Sequence, residues 1–348
     1  MRKNEPSLKI VLVVASCAVS AFTGLFLSRH GAADAVRRSK PLIGLSLDTL
    51  AEERWQHDRD LFVKRGEELG AEVLVQAANS DDTRQIQDVE ALLSRKVDVL
   101  VIVPHNGEAM AKAVGLAHDA GIPVVSYDRL IRNAGVDLYV SFDAVRIGAE
   151  QARFLVDRLK GRKARLVRIN GAKTDSNAHL VRQGQEEVLG PKIAKGEIEI
   201  VHEDWAENWK PESAKKILQA AITRAGKFDA VLTANDGTAG GAGQALSEEG
   251  LSGKVLVTGQ DAELAACQRI VHGTQSMTIY KPLKRLAAAA AEAAYALAVR
   301  RPVVAKMEVD DAKGKIPAIL LDVITVTKDN MMSTVVADGF HPQEAIYR

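Results

Sequence analysis

The 348-residue sequence predicts an α/β protein of two similar lobes, each a parallel sheet covered by helices. Three observations carry this expectation. From Pro41 onward, short apolar runs alternate with longer amphipathic segments. Regular alternation of that kind builds parallel sheets through right-handed crossovers. The apolar runs are too many for one comfortable sheet, and their rhythm restarts near Asp143.

Taken in order, residues 42–47 form a strand and 52–69 a helix closed by Gly70, a residue suited to a helix C-terminus. A strand over 72–76 and a helix over 81–94 follow. The run 97–103 is apolar except for Asp98, as expected of a strand buried on both faces. A helix over 107–120 ends at Gly121, and strands occupy 122–127 and 138–142. The second series has helices over 143–159, 176–189 and 211–224, the last with Pro211 in its first turn. Strands at 164–169, 197–202, 228–233 and 255–258 alternate with them, and helices over 243–249 and 263–271 follow the last two. Residues 275–280 are extended, 283–299 form an Ala-rich helix, and 319–326 form one further strand.

Composition narrows the function. A formal charge of +1 gives no footprint for nucleic acid or another polyanion. Two cysteines, Cys17 in an apolar segment and Cys267 in an expected helix, predict neither a disulfide framework nor a zinc site. No Walker phosphate loop, no Gly-x-Ser-x-Gly elbow and no His-Glu-x-x-His occurs. The glycines between Gly237 and Gly243 miss the dinucleotide-binding spacing and predict close packing of a helix on a sheet.

The N-terminus reads as an address. Arg2, Lys3 and Lys9 precede an uncharged apolar run over 10–27, and Ala33-Asp34-Ala35 offers a small-residue cleavage site. A cleaved secretory signal is the favoured reading. An uncleaved anchor is the first alternative, since the run approaches the length of a membrane span. Acylation at Cys17, after Val14-Ala15-Ser16, is the second. All three place residues 36 onward outside the cytoplasm.

The candidate site lies at the strand ends. In open α/β sheets, ligands bind outside the carboxyl ends of the strands. Those ends carry Asp48 to Trp55, Pro104 to Gly107, Asp128-Arg129, Lys173 to Asn177, Trp205 to Trp209, Asn235-Asp236, Gln260-Asp261 and Tyr280-Lys281. A monosaccharide is a ring of hydroxyls with one apolar face. Arg offers a fork of donors, Asp accepts hydroxyl protons, Asn does both, and Trp supplies a flat apolar surface. Structural roles compete at several positions. Arg54 and Trp55 could pack on their own lobe, Asp128-Arg129 could be a structural ion pair, and Lys281 could be exposed. Asp261 could cap a helix, and Asp175 or Ser176 could be the cap beside Asn177. Asp236 is expected to act mainly as a helix cap, and Asn235 to face a cleft. Trp209 is favoured over Trp205, which ends a strand.

These stretches resemble the periplasmic sugar-binding proteins of ABC importers, and among them the D-xylose binders. The resemblance rests on Glu53-Arg54-Trp55-Gln56, Asp58-Arg59-Asp60, Tyr127-Asp128-Arg129, Asn235-Asp236-Gly237-Thr238-Ala239-Gly240-Gly241, Gly259-Gln260-Asp261-Ala262 and Tyr280-Lys281-Pro282. It extends over about residues 43–341. It implies a periplasmic-binding-protein type I fold, with two Rossmann-like lobes joined by a three-crossover hinge. The expected division is a segment over 1–35, one lobe from 40–143 plus 281–320, and a second from 144–280 plus 321–348. The implied ligand positions are Arg54, Arg129, Asn177, Trp209, Asn235, Asp261 and Lys281, with Trp55 beside them. The implied activity is capture of one sugar, D-xylose first and another pentose or hexose next, without enzymatic turnover or a cofactor. The implied partner is a membrane permease, with a chemotaxis or signalling receptor as the alternative, for a monomer in the periplasm. His105 departs from the Tyr that the xylose binders tend to carry there, and residues 173–177 depart from their usual stretch.

Overall fold

The computed structural model describes residues 40–348. The expected address segment, its cleavage site and Cys17 lie outside the described residues.

The first sheet has seven strands in the order β11-β12-β5-β4-β3-β1-β2. Its strands are β1 (Leu42–Leu47), β2 (Glu72–Ala77), β3 (Val99–Ile102), β4 (Val124–Tyr127), β5 (Leu138–Phe142), β11 (Met307–Asp310) and β12 (Lys315–Leu321). All pairings are parallel except the β11–β12 hairpin at the edge. Every residue of β1, β3, β4 and β5 is buried. That matches their continuous apolar runs, because helices cover both faces. The helices of this part are α1 (Glu53–Glu68), α2 (Asp82–Ser94) and α3 (Ala111–Asp119).

After β5 the chain leaves this sheet through α4 (Ala144–Arg158). A second, fully parallel sheet follows in the order β7-β6-β8-β9. Its strands are β6 (Ala164–Asn170), β7 (Ile198–Trp205), β8 (Ala230–Thr233) and β9 (Leu256–Val257). Its helices are α5 (Ser176–Ala194), α6 (Pro211–Ala225), α7 (Asp236–Glu248) and α8 (Leu264–His272). The short strand β10 (Thr278–Tyr280) pairs antiparallel with β13 (Ile324–Val326) as a separate ribbon. Between them, α9 (Leu283–Ala298) packs against α1 and leads into the β11–β12 hairpin. Both principal sheets reverse strand order, at β1 between β2 and β3 and at β6 between β7 and β8. Those reversals open the crevices in which such sheets bind ligands.

Two expectations are corrected. The single strand expected over 319–326 is two strands, because Asp322 and Val323 carry the chain from the first sheet to the ribbon. The hairpin that begins at β11 was not expected. Its turn is held by the Asp311 carboxylate, which accepts from the backbone N–H groups of Lys313 and Gly314 within the turn and of Ala134 and Gly135 outside it.

Helices α4 and α5 touch backbone to backbone. A Cβ on Gly148 would lie 1.8 Å from the Val181 carbonyl oxygen, and one on Gly184 would lie 1.8 Å from that of Val145. The missing side chains permit this reciprocal approach. Gly148→Ala is therefore expected to force the helices apart, at roughly 1–3 kcal/mol. Gly115→Ala, in a helix position with nothing within 4 Å, is expected to be neutral or stabilising by up to about 1 kcal/mol. Thermal melts of the two variants check this: Gly148→Ala lowers the melting temperature and Gly115→Ala does not.

Candidate functional site

The polar strand ends of both sheets meet around one cleft. It is lined by Glu52, Arg54, Trp55, Asp128, Arg129, Asp175, Asn177, Trp209, Asn235, Gln260, Asp261, Glu263 and Lys281. All eight residues singled out from the sequence are in this set.

The wall on the seven-stranded side is organised by two buried guanidinium groups. Arg54 lies in the first turn of α1, and Asp58 lies one turn later on the same face. Its Nε donates to Asp58 at 3.1 Å, Nη2 donates to Asp128, and Nη1 lies 3.4 Å from Asp261. Tyr127 donates its hydroxyl to the other oxygen of Asp58 at 2.6 Å. Arg129 donates from Nη1 to Asp48 at 2.6 Å and to the Pro104 carbonyl at 3.2 Å, while Nε lies 2.8 Å from Asp175. Both guanidinium groups stand over the Trp55 ring, at 4.3 and 5.1 Å from its centre. Trp55 also belongs to the apolar core of the first sheet. Its packing role and its place in the cleft wall therefore coexist.

The opposite wall is built on the four-stranded sheet. Asp175 caps α5, accepting from the Asn177 backbone N–H at 2.9 Å. Its other oxygen accepts from the Trp209 indole N–H at 3.2 Å and faces Arg129. The Asn177 amide donates to the Asp128 backbone oxygen at 3.0 Å and lies 3.3 Å from the Asp128 carboxylate. Trp209 follows Asn208 in left-handed backbone, with φ of 59° and 49°. Its ring passes over Gly171, where a Cβ would come within 2.2 Å of the indole. Asp128 and Asp261 also have positive φ, 60° and 99°. Such conformations are unfavourable for residues other than glycine and persist where surrounding contacts impose them. Lys281, buried between β10 and α9, places its ammonium 2.7 Å from Asp261.

Arginine, aspartate and lysine at these depths are tolerable only when paired. Burial opposes the charge on Arg54, but Asp128, Asp58 and Asp261 outweigh it and hold its pKa well above the usual value. Burial likewise pushes the Asp128 carboxyl upward, yet Arg54 and Lys281 bring it below the ordinary range. For Asp58 and Asp175 burial prevails and both are raised. Burial and nearby carboxylates push Asp236, behind the cleft, up to about 7 and Glu263, in its lining, up to about 8.

The assignment of Asn235 and Asp236 is corrected. Asn235 is the cap of α7: its Oδ1 accepts from the Thr238 N–H, and its own N–H donates to Thr238 Oγ1. The amide nitrogen is the group Asn235 has left to offer a ligand. Asp236 is fully buried one position later and accepts from Thr278, Gln275 and the Glu263 N–H. Trp205 does not line the cleft; its ring lies 4.7 Å from that of His179. Glu52, Asp128, Asp175 and Gln260 fall in the strand-end stretches expected to form the site but were not among the implied ligand positions, and Glu263 lay outside those stretches. Asp175 was concealed because its position already explained it as a cap.

A family model for the periplasmic binding protein domain matches residues 43–301. The chain belongs to the periplasmic binding protein family. This binding protein is 48% identical to the D-xylose-binding periplasmic protein of Haemophilus influenzae over 88% of its own length and 92% of that relative. It is 45% identical to the protein of the same name from Escherichia coli K12, over 87% and 92% of the two chains. Its structure superposes with a TM-score of 0.82 on a carbohydrate transporter solute-binding protein of Chloroflexus aurantiacus in complex with D-glucose. The identity there is 33%, covering 88% of this chain and 98% of that one. The fold is thus that of a sugar-binding periplasmic binding protein.

His105 adds a titratable group beside the Asp48 carboxylate that holds Arg129 in this binding protein. Its Nδ1 lies 3.0 Å from that carboxylate. The bond to Asp48 lifts the imidazole above its ordinary range despite partial burial. A raised folded pKa means that the pair stabilises fully below the unfolded value, about pH 6.5. The contribution is lost as pH rises through the raised folded value. The melting temperature of the wild type relative to His105→Gln is accordingly expected to fall as pH rises through that window, as pH-dependent thermal melts would show.

Proposed function

We propose that this protein captures a single monosaccharide, D-xylose first, between two lobes in the periplasm and hands it to the membrane permease of an ABC importer. The observation that carries this reading is the convergence of Arg54, Arg129, Asn177, Trp209, Asn235, Asp261 and Lys281 on one cleft. The names of the relatives from Haemophilus influenzae and Escherichia coli support the choice of sugar.

The lobes are residues 40–143 with 281–320, and 144–280 with 321–348. The sugar hydroxyls replace part of the hydrogen bonding now made among Arg54, Asp128, Asp175, Asn177 and Asp261. Trp209 faces a C–H surface of the ring, and Trp55 supports the two guanidinium groups from behind. Contacts from both walls stabilise the closed arrangement, because only there are they all made. Gly107 N–H donates to the Thr174 carbonyl at 3.1 Å, and Leu130 N–H donates to Ser176 Oγ at 3.1 Å. These bonds join the lips of the two lobes in the same state. A dissociation constant near micromolar corresponds to about 8 kcal/mol. A few charge-assisted hydrogen bonds of about 1.5–3 kcal/mol each reach that after ordering costs. Sugar is bound and released unchanged, by a monomer.

Isothermal calorimetry with D-xylose, L-arabinose, D-ribose and D-glucose tests the reading. Stoichiometric binding, tightest for D-xylose, is expected; absence of heat with all four would refute it. Asp261→Asn removes one negative charge facing Arg54 and Lys281, and is expected to weaken D-xylose at least tenfold. Trp209→Phe is expected to retain binding but to lose most of the sugar-dependent change in tryptophan fluorescence. A fluorescence change of wild-type size in that variant would exclude Trp209 as the stacking residue.

A further inference from the structure

The carboxylates around the cleft differ in one respect. Asp128 is held by Arg54, Asp175 by Arg129 and Trp209, and Asp261 by Arg54 and Lys281. Glu52 lines the same cleft with its Oε2 buried, and that oxygen accepts no hydrogen bond from any described residue. Glu52 occupies the position before α1 but makes no side-chain cap bond. Its carboxyl therefore bonds no helix N–H, and the backbone N–H acting on it is its own, which leaves Oε2 without a partner among the described residues. Arg129 and Asp48 on one wall and Asp261 on the other all act on its charge, which places it between the lobes. Burial is the larger influence and raises its pKa. A buried acceptor without a donor is unfavourable, and a ligand hydroxyl supplies the missing donor.

We infer that Glu52 contacts the bound sugar directly and sets selectivity by accepting a hydrogen bond from one particular hydroxyl. This deepens the sugar-binding reading and rests on it. Asp128 and Asp175 already accept on both oxygens, and Asp261 is engaged on Oδ1 by both Arg54 and Lys281, whereas the buried Oε2 of Glu52 accepts from no described residue. Glu52 has an oxygen available, so the presence of its partner hydroxyl counts for more. A site built to satisfy a buried polar group discriminates strongly against the analogue lacking the matching group.

The test is a cycle between Glu52 variants and the monodeoxy analogues of D-xylose, read by calorimetry on the whole protein. Glu52→Ala is expected to weaken D-xylose at least tenfold. For one deoxy analogue, wild type and Glu52→Ala are expected to bind within twofold of each other. The other analogues should show the same wild-type-to-variant ratio as D-xylose. Glu52→Gln, which keeps an acceptor oxygen, should recover at least part of the loss. Unchanged D-xylose affinity in Glu52→Ala overturns the inference, as does an equal loss for every analogue, which would mark an indirect effect through Arg129. In either case the wild type still binds D-xylose and the sugar-binding reading stands. A wild type that binds no sugar overturns both.

Discussion

The Arg54 guanidinium is the constraint on which the cleft depends. It is buried, and a buried cation must be matched or it destabilises the fold by several kcal/mol. Its three carboxylates come from different places: Asp58 from the same helix, Asp128 from the end of β4, and Asp261 from beyond β9 on the other sheet. Satisfying one charge therefore fixes helix α1, the strand ends of the first sheet and the facing wall in mutual register. Arg129 repeats the arrangement with Asp48 on its own side and Asp175 across the cleft. Trp55 supports both cations on one apolar ring. The electrostatics that shape the site are also what gives it hydrogen-bonding capacity, since each group retains directions its partner does not use.

Backbone geometry at the site points the same way. Asp128, Trp209 and Asp261 hold positive φ in the cleft wall. For Asp261 the backbone is fixed by its N–H, which donates to Ile279 at 2.8 Å, and the side chain by Arg54 and Lys281. Gly171 leaves the room that brings the Trp209 ring to the wall. Strain of this kind, about 1–3 kcal/mol per residue, persists where neighbouring contacts over-determine the conformation. Here those contacts are the polar bonds of the cleft itself.

Much of this was legible in the sequence, for identifiable reasons. Arg129, Asn235, Asp261 and Lys281 stand within a few residues of the end of an apolar run, so strand-to-helix rhythm alone puts them at strand ends, while Arg54 opens the helix that follows the first run. The elements that escaped are those for which a local explanation sufficed. Asp175 has the position of a helix cap and fills it, which hid its bonds to Trp209 and its contact with Arg129. Asn235 took the cap expected of Asp236 while lining the cleft as expected, because either can cap and only the tertiary partners of Asp236 decide between them. The hairpin from β11 to β12 has a weak signal: β11 is mostly exposed, and its turn depends on Asp311 reaching residues 176 and 177 positions away. The apolar residues on both sides of Asp322 read as one strand over 319–326, which concealed the passage from one sheet to another.

Lys281 occupies a distinctive place among the cleft residues. It lies in a connection between the two halves, immediately after β10 and before the helix that returns to the first sheet. Arg54 and Lys281 meet the same oxygen of Asp261, one from the first wall and one from the connection. A parting of the walls would therefore leave Asp261 with the ammonium of the connection as its partner. Opening would keep one anchoring charge pair at the connection and free one bonding direction on each guanidinium, while Asp58, Asp128 and Asp48 go on holding both cations to their own wall.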